Sequence, residues 1–338
     1  MRLAALTTTK IEGDIIEAFV RYTLRFVDHL IVVDNGSLDG TPALLSALAA
    51  EGLPLTIWEG EQVTASTQRR TELVREAFAA LDTDYLLLID TDEFLYARSR
   101  TALESALRGL PNGAHALVPI LTYVPTRADD PGEQNPIARI RHRLATERVP
   151  VSKLFINKSF RAASQASVIP GNHAIADPAG SSTSVPLPGI ALAHFPVRSP
   201  SQLQSKAILG WPRFLAMGFD ERRGIAYHWR RLNEQLQAQP DWDTETYLHI
   251  AAHYYDEDDD DGVNTGVVLD PLPAPHCRYV QKPPNPLAVA IAFTNQMARA
   301  YALASGENAR LKDALDLHAE SPRVPPASLQ SARAKPDR

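Results

Sequence analysis

The sequence lacks three features, and each absence excludes a class of protein or of site. It has one cysteine, Cys277, so neither an internal disulfide nor a cysteine-based zinc site can form, as expected in a reducing compartment. No apolar run approaches the roughly 20 residues needed to span a bilayer, and the run near the N-terminus is too short for a signal peptide. Lysine and arginine total 34 against 40 acidic residues, a net charge of −6 that provides no overall basic field for nucleic acid. We therefore expect a soluble, cytoplasmic protein without a nucleic-acid partner.

The first 95 residues alternate between strand and helix patterns. Short apolar runs predict strands at residues 2–6, 30–33, 55–58 and 85–89. Helical patterns lie between them at residues 14–27, 41–52 and 67–81. The first helix carries Asp14 and Glu17 in a capping-box-like arrangement. Such a series predicts a parallel sheet with right-handed crossovers, whose ligands bind at the carboxyl ends of the strands.

Asp90 and Asp92 follow the most apolar of these strands. Residues 85–89 are too few for an isolated helix and suit a strand covered on both faces, so we expect burial to end at Asp90. Two aspartates one residue apart can hold a hard divalent cation whose open positions take phosphate oxygens, which is the chemistry of a diphosphate leaving group. The alternative is a solvated acidic turn in which Asp92 or Glu93 caps the next helix.

Glu12 and Asp34 also fall at predicted carboxyl ends of strands. The carboxylate of Asp34 can accept hydrogen bonds from a base N–H or from ribose hydroxyls. Its alternative role is to cap the turn formed by Asn35 and Gly36.

Three motifs resemble the family 2 glycosyltransferases of GT-A fold. They are Lys-Ile-Glu-Gly-Asp at residues 10–14, Val-Val-Asp-Asn-Gly-Ser at residues 32–37 and Asp-Thr-Asp-Glu-Phe at residues 90–94. They are most similar to the bacterial branch with Lys-Asn-Glu and Asp-x-Asp-Glu-Phe motifs, except that Ile11 stands where that branch has asparagine.

The resemblance implies an α/β fold of GT-A type, that is, a Rossmann-like, mostly parallel sheet flanked by helices. It also implies transfer of a sugar from a nucleotide-sugar, assisted by Mn²⁺ or Mg²⁺. Carried over by position, Glu12 and Asp34 would contact the nucleoside, while Asp90 and Asp92 would contact the ribose, the metal and the diphosphate.

A later apolar run, residues 190–193, ends on His194. If this strand runs parallel to the strand before Asp90, His194 reaches the same edge, where a neutral imidazole can bind Mn²⁺. Arg198 and Lys206 follow closely and are predicted to neutralise phosphate charge. The alternative for His194 is a structural role inside the fold.

The sequence leaves the general base open, and five side chains between residues 129 and 177 are conceivable. They are Asp129, Asp130, Glu133, His173 and Asp177. Of these we choose His173, which follows a Gly-Asn turn and is expected near the acceptor.

The rest of the chain predicts elements around this site. Residues 124–150 predict a long loop over the site whose arginines either attract an anion or form a solvated face. Residues 200–218 and 224–237 predict helices whose aromatic side chains pack in a core or form a sugar-stacking wall. The acidic run at residues 256–261 predicts a solvated loop. We divide the chain into a transferase domain at 1–198, a helical C-terminal extension at 199–318 and a disordered tail at 319–338.

Together with the family resemblance, these patterns lead us to expect a metal-assisted glycosyltransferase. The donor would be a nucleoside diphosphate sugar, with a UDP-sugar as the guess, and the acceptor a hydroxyl of a carbohydrate or glycoconjugate; inversion follows by family analogy. One alternative is a phosphohydrolase of the haloacid dehalogenase type with Asp90 as nucleophile. The other is a non-catalytic nucleotide-binding module, which Ile11 favours.

Overall fold

A computed structural model describes residues 1–60, 67–147, 149–216, 227–255, 266–279 and 282–319. The strands are β1 Leu3–Thr9, β2 His29–Asp34, β3 Leu55–Glu59, β4 Tyr85–Leu88, β5 Glu93–Tyr96, β6 His115–Val124, β7 His142–Leu144, β8 Ser152–Asn157, β9 Ser167–Val168, β10 Ile175–Ala176, β11 Ser184–Pro186, β12 Ala191–His194 and β13 Val267–Leu269. The helices are α1 Ile16–Thr23, α2 Thr41–Ala50, α3 Thr67–Ala80, α4 Arg100–Arg108, α5 Pro136–Arg139, α6 Pro200–Ala216, α7 Tyr227–Ala238, α8 Thr244–Ala252 and α9 Pro286–Ala319. Arg148, the acidic run at 256–261 and the tail from residue 320 lie outside the described residues.

The main sheet has the strand order β13-β7-β6-β8-β4-β1-β2-β3. The strands β3, β2, β1 and β4 are parallel neighbours, and β8, β6, β7 and β13 continue the sheet in antiparallel pairs. The chain moves outward from β1 to β3 and then returns to β4 on the other side of β1. This reversal opens a crevice at the carboxyl ends of β1 and β4.

Strand β12 brings the second predicted strand end to the same edge. It pairs in parallel with β6, which is antiparallel to β8, and β8 is antiparallel to β4. Strands β12 and β4 therefore run in the same direction, as expected for His194 and Asp90. β12 also pairs antiparallel with β5, which directly follows the two aspartates.

Apolar side chains cover both faces of β1, β2 and β4. Leu3 and Ala5 of β1 pack on one face with residues of α1, α2 and α4, whereas Ala4 and Leu6 pack on the other with residues of α3. A third cluster joins α6, α7 and α8. The predicted α/β fold, a sheet flanked by helices, is confirmed. The segment predicted as a helical extension also contributes a strand, β13, which pairs with β7 of the main sheet.

Two local expectations differ from the structure. The predicted loop at 124–150 contains α5 and β7, and β7 pairs with β6 and β13. Helix α1 begins at Ile16 without a side-chain cap, because Asp14 is engaged elsewhere and Glu17 accepts the backbone N–H groups of Arg278 and Tyr279.

The chain divides into a compact unit, Met1–Thr294, and a second unit, Asn295–Arg338. All the strands and the cavity described below belong to the first unit. The proposed boundary near residue 198 stays a prediction. Within the described residues, no helix is both long and apolar enough to cross a membrane.

Candidate functional site

A cavity of about 360 Å³ lies at the carboxyl ends of β1, β2 and β4. Its wall combines three kinds of side chain. The acids are Glu12, Asp90 and Asp92, the bases are Lys10, Arg70, Lys206 and Arg213, and the large apolar side chains are Leu209, Phe214 and Trp229. The strand order explains the position of the cavity, because it lies in the crevice between β1 and β4.

Asp90 begins a tight turn between β4 and β5. The Asp90 N–H donates to the carboxylate of Glu93 at 2.9 Å, and the Glu93 N–H donates to the Asp90 carbonyl at 3.0 Å. The Asp90 carboxylate is 2.5 Å from the ammonium of Lys153, which also donates to the Gly171 carbonyl at 3.0 Å. Burial opposes the charge on Lys153, but the carboxylates of Asp90 and Glu93 raise its pKa above the usual range.

Asp92 is buried, with only 7% of its surface exposed, so burial does not end at Asp90 as expected. The reason is that β5 continues into the core and α6 covers the turn. The Asp92 carboxylate accepts from Lys206 at 2.7 Å and lies 3.5 Å from His194 Nε2 and 3.6 Å from Arg198. Burial alone would favour the neutral acid, but Lys206 and His194 hold the pKa of Asp92 well below its usual range.

Arg198 lies behind the cavity wall and is 1% exposed. Its guanidinium donates twice to Asp14, at 2.7 and 2.8 Å, and also to Glu12. Arg198 therefore ties the turn after β1 to the segment after β12, and the predicted phosphate contact would require it to leave this ion pair. Sequence reasoning missed Asp14, which is 184 residues from Arg198.

Glu12 lines the cavity, and burial raises its pKa to about 7 despite the nearby Arg198. Asp34 faces its own turn: it accepts from the Ser37 N–H at 2.9 Å and from the Ser37 hydroxyl at 2.6 Å. The turn-capping role considered for Asp34 is thus present in the structure. The neighbouring Asn35, which sequence reasoning did not select, lines the cavity instead.

Neither of the two predicted histidines is among the residues that line the cavity. His194 ends β12, with Nε2 near Asp92 and Nδ1 3.3 Å from the Tyr255 hydroxyl. His173 Nδ1 donates to the Ser152 carbonyl at 2.9 Å, which leaves the lone pair of a neutral ring on Nε2. Burial lowers the pKa of His173.

The other candidate bases hold local turns and, like His173, are not among the residues that line the cavity. Asp129 accepts from Thr126, Asp130 from Gly132 and Glu133 from Asn135. Asp177 accepts from Ser181 and Ser182 at 2.7 Å, and these hydrogen bonds lower its pKa to about 2. An acid this weakly basic is a poor proton acceptor.

Three cavity-lining bases were not predicted as site residues. Lys10 donates to the Asn35 carbonyl at 3.1 Å, and burial together with the charge of Arg213 lowers its pKa to about 8. Arg70 of α3 donates to Asn172 at 2.7 Å. Arg213 follows Pro212 in α6, and its buried Nε atom has no hydrogen-bond partner. Lys10 belongs to the first motif, but no local pattern marks Arg70 or Arg213.

Asp90, Asp92 and His194 were predicted to bind a divalent cation. Among the described residues, no group of three or more His, Cys, Asp or Glu side chains is arranged to hold a metal ion. Two carboxylates could still share a cation with a ligand phosphate. However, Lys153 and Lys206 already bond the carboxylates of Asp90 and Asp92. The donor set in this arrangement does not fit a resident divalent ion.

No protein-family model and no curated protein matches the sequence. Among solved structures, residues 1–349 of TarS from S. aureus align over 75% of this chain and 80% of that chain, with 10% identity and a TM-score of 0.33. The mannosyltransferase PcManGT from Pyrobaculum calidifontis, in complex with GDP-Man and Mn²⁺, aligns over 74% and 70%, with 15% identity and a TM-score of 0.33. Glucosyl-3-phosphoglycerate synthase from Mycobacterium tuberculosis, with Mn²⁺ and UDP, aligns over 36% and 44%, with 19% identity and a TM-score of 0.24. These similarities are too weak to support a functional assignment. The function proposed below is based on the chemistry of the cavity.

Proposed function

We propose that the chain transfers a glycosyl group from a nucleoside diphosphate sugar to a hydroxyl of a carbohydrate or glycoconjugate. One observation carries the proposal: a cavity at the switch point between β1 and β4 combines four basic side chains with three carboxylic acids and an apolar wall. Crevices at such switch points are where open α/β sheets bind their ligands. The motif resemblance at residues 10–14, 32–37 and 90–94 agrees with this choice.

The side chains that line the cavity match the diphosphate, the hydroxyl groups and the rings of such a donor. Lys10, Arg70 and Arg213 are positioned to bind the diphosphate, because cationic donors form strong hydrogen bonds with phosphate oxygens. The carboxylates of Glu12 and Asp90 can accept hydrogen bonds from ribose or sugar hydroxyls. Phe214 and Trp229 offer flat apolar surfaces to a base or sugar ring.

In the proposed reaction, the acceptor oxygen attacks the anomeric carbon and the bond to the diphosphate oxygen breaks. The basic side chains stabilise the negative charge that develops on the departing diphosphate. His173 is the proposed general base, since Nε2 is free of the Ser152 hydrogen bond and its lowered pKa keeps the ring neutral at pH 7. A single displacement of this kind inverts the anomeric centre.

A donor screen tests the proposal. The full chain is incubated with UDP-, GDP-, ADP-, CDP- and TDP-sugars, and release of nucleoside diphosphate and of inorganic phosphate is measured separately. We expect one donor class to release nucleoside diphosphate, and Asp90→Asn to reduce that release. Release of inorganic phosphate with a phosphoryl adduct on Asp90 would establish the phosphohydrolase instead. Binding of a nucleotide without turnover of any donor or model acceptor would establish the binding module.

A further inference from the structure

Each aspartate of the Asp-x-Asp motif has its own lysine. Lys206 donates to Asp92 at 2.7 Å and to the Pro196 carbonyl at 3.1 Å. Lys153 donates to Asp90 at 2.5 Å and to the Gly171 carbonyl at 3.0 Å. Each ammonium group therefore occupies one carboxylate oxygen, Oδ2, that a divalent cation could otherwise bind.

Both lysine side chains are largely buried, and their hydrogen bonds fix their positions. The side chain of Lys153 is 4% exposed and that of Lys206 is 16% exposed, and each has a backbone carbonyl as a second acceptor. Arg198, fixed by its two bonds to Asp14, adds a third positive charge 3.6 Å from Asp92. A divalent cation bound by Asp92 would have to displace Lys206 or lie next to the positive charges of Lys206 and Arg198. Displacing Lys206 would leave its buried charge without a partner, which is strongly unfavourable.

The cavity wall supplies positive charge beyond these pairs. Lys10, Arg70 and Arg213 line the cavity, and the buried Nε of Arg213 has no hydrogen-bond partner. Lys10 and Arg213 lie close enough for the charge of Arg213 to lower the pKa of Lys10. Mutual repulsion of this kind is relieved when an anion binds between the two groups. The basic side chains of the cavity wall can therefore neutralise a diphosphate without a divalent cation.

We propose that Lys206, which lines the cavity, and Lys153, which neutralises Asp90 without lining the cavity, take the place of the divalent cation, so that this site binds its nucleoside diphosphate without a metal. The inference rests on the proposed function, because it concerns how the same cavity neutralises the diphosphate. It predicts a difference from the metal-assisted mechanism that the motif resemblance implies.

Calorimetric titration of the full chain tests the inference without any variant. The five nucleoside diphosphates UDP, GDP, ADP, CDP and TDP are titrated in EDTA and, separately, in MnCl₂. We expect the best ligand to bind in EDTA with an affinity within about threefold of that in MnCl₂, a difference below 1 kcal/mol. Binding that requires Mn²⁺ would overturn the inference and leave the proposed function standing. Absence of binding in both buffers would overturn both.

Lys206→Met provides a sharper test, because it frees an oxygen of Asp92 for a metal. Loss of a charge-assisted contact is expected to weaken nucleoside diphosphate binding in EDTA by about tenfold or more. Mn²⁺ should then restore part of the affinity, which a merely structural lysine would not allow. Lys158→Met is the matched control, because Lys158 also pairs with an aspartate, Asp84, at 2.7 Å and does not line the cavity. Equal affinities of Lys206→Met and Lys158→Met in EDTA would contradict the inference.

Discussion

At the scale of the residue, Arg198 makes the most consequential contacts in the site. It is buried with two carboxylates, Asp14 and Glu12. We expect Arg198→Met to lower the free energy of unfolding by about 3–5 kcal/mol, because the variant leaves buried carboxyl groups without a partner. Urea denaturation at pH 7 measures the change.

Arg2→Met is the control for Arg198→Met. Arg2 forms an ion pair with Asp82 at 2.7 Å, and both side chains are largely exposed. Exposed pairs of this geometry contribute at most about 1 kcal/mol. If the two variants lose similar amounts of stability, the Arg198 cluster does not hold the edge of the sheet together as described.

His115 makes the stability of the fold depend on pH. It is buried beside Phe160, its Nδ1 accepts from the Asn157 N–H at 3.0 Å, and burial lowers its pKa from 6.5 to about 4. As the pH falls below 6.5, His115 becomes protonated in the unfolded chain but stays neutral in the folded chain. The free energy of unfolding therefore decreases progressively down to about pH 4.

His115→Asn should remove that dependence while keeping an acceptor for Asn157. We expect the melting temperature of the wild type to fall more between pH 7 and pH 5 than that of the variant, whatever the offset between them at pH 7. Thermal melts monitored by circular dichroism measure both slopes. Parallel slopes would show that His115 takes up its proton in the folded state.

At the scale of the element, the contact between α6 and α7 shapes the apolar wall of the cavity. A methyl group at Gly210 of α6 would lie 2.1 Å from the indole ring of Trp229 in α7. Gly210→Ala therefore forces the ring to move, and overpacking of this kind costs about 1–3 kcal/mol. We expect lower stability together with weaker nucleoside diphosphate binding, measured by denaturation and calorimetry.

Gly306→Ala is the control for Gly210→Ala. Gly306 also lies in a helix, but an added methyl group would meet nothing within 4 Å. Alanine favours the helix by up to about 1 kcal/mol, so stability should stay equal or rise. Unchanged binding in Gly210→Ala would mean that Trp229 is not part of the binding surface.

The elements could be predicted from the sequence where apolar patterns are strong. Strands β1 to β4 and their helices were predicted because each strand is a short apolar run, and β1, β2 and β4 are also covered on both faces. Strands β5 and β7 were missed because they are only four and three residues long and carry polar residues. Asp14 was predicted as a cap because its local spacing allows that role, whereas its actual partner is far along the chain.

At the scale of the whole molecule, the site could be predicted only in part. Asp90 and Asp92 follow β4 and His194 ends β12, so the topology brings them to one edge, and apolar runs in the sequence show where strands end. Lys153, Arg70 and Arg213 approach from β8, α3 and α6, and their positions depend on packing that leaves no local pattern. The lysine partners of the two aspartates were therefore not predicted as a pair.

The division of the chain at Thr294 predicts what a shorter chain retains. Residues 1–294 contain the three apolar clusters, the cavity and the buried side chains of Val289 and Phe293. A chain ending at Thr294 should melt within about 4 °C of the full chain, a change of roughly 1 kcal/mol or less. It should also bind the same nucleoside diphosphate. Scanning calorimetry and titration measure both, and a larger loss of either would show that the second unit supports the first.

The distance along the chain between the acids and their basic partners also orders events during synthesis. Glu12, Asp14, Asp90 and Asp92 leave the ribosome before Lys153, Arg198 and Lys206. Strands β1 to β4 can pair as they emerge, but Asp14, Asp90 and Asp92 at their carboxyl edge lack their main basic partners until Lys153, Arg198 and Lys206 are made. The scaffold of this protein can therefore form during translation, while its ligand-binding edge has to wait for the last third of the first unit.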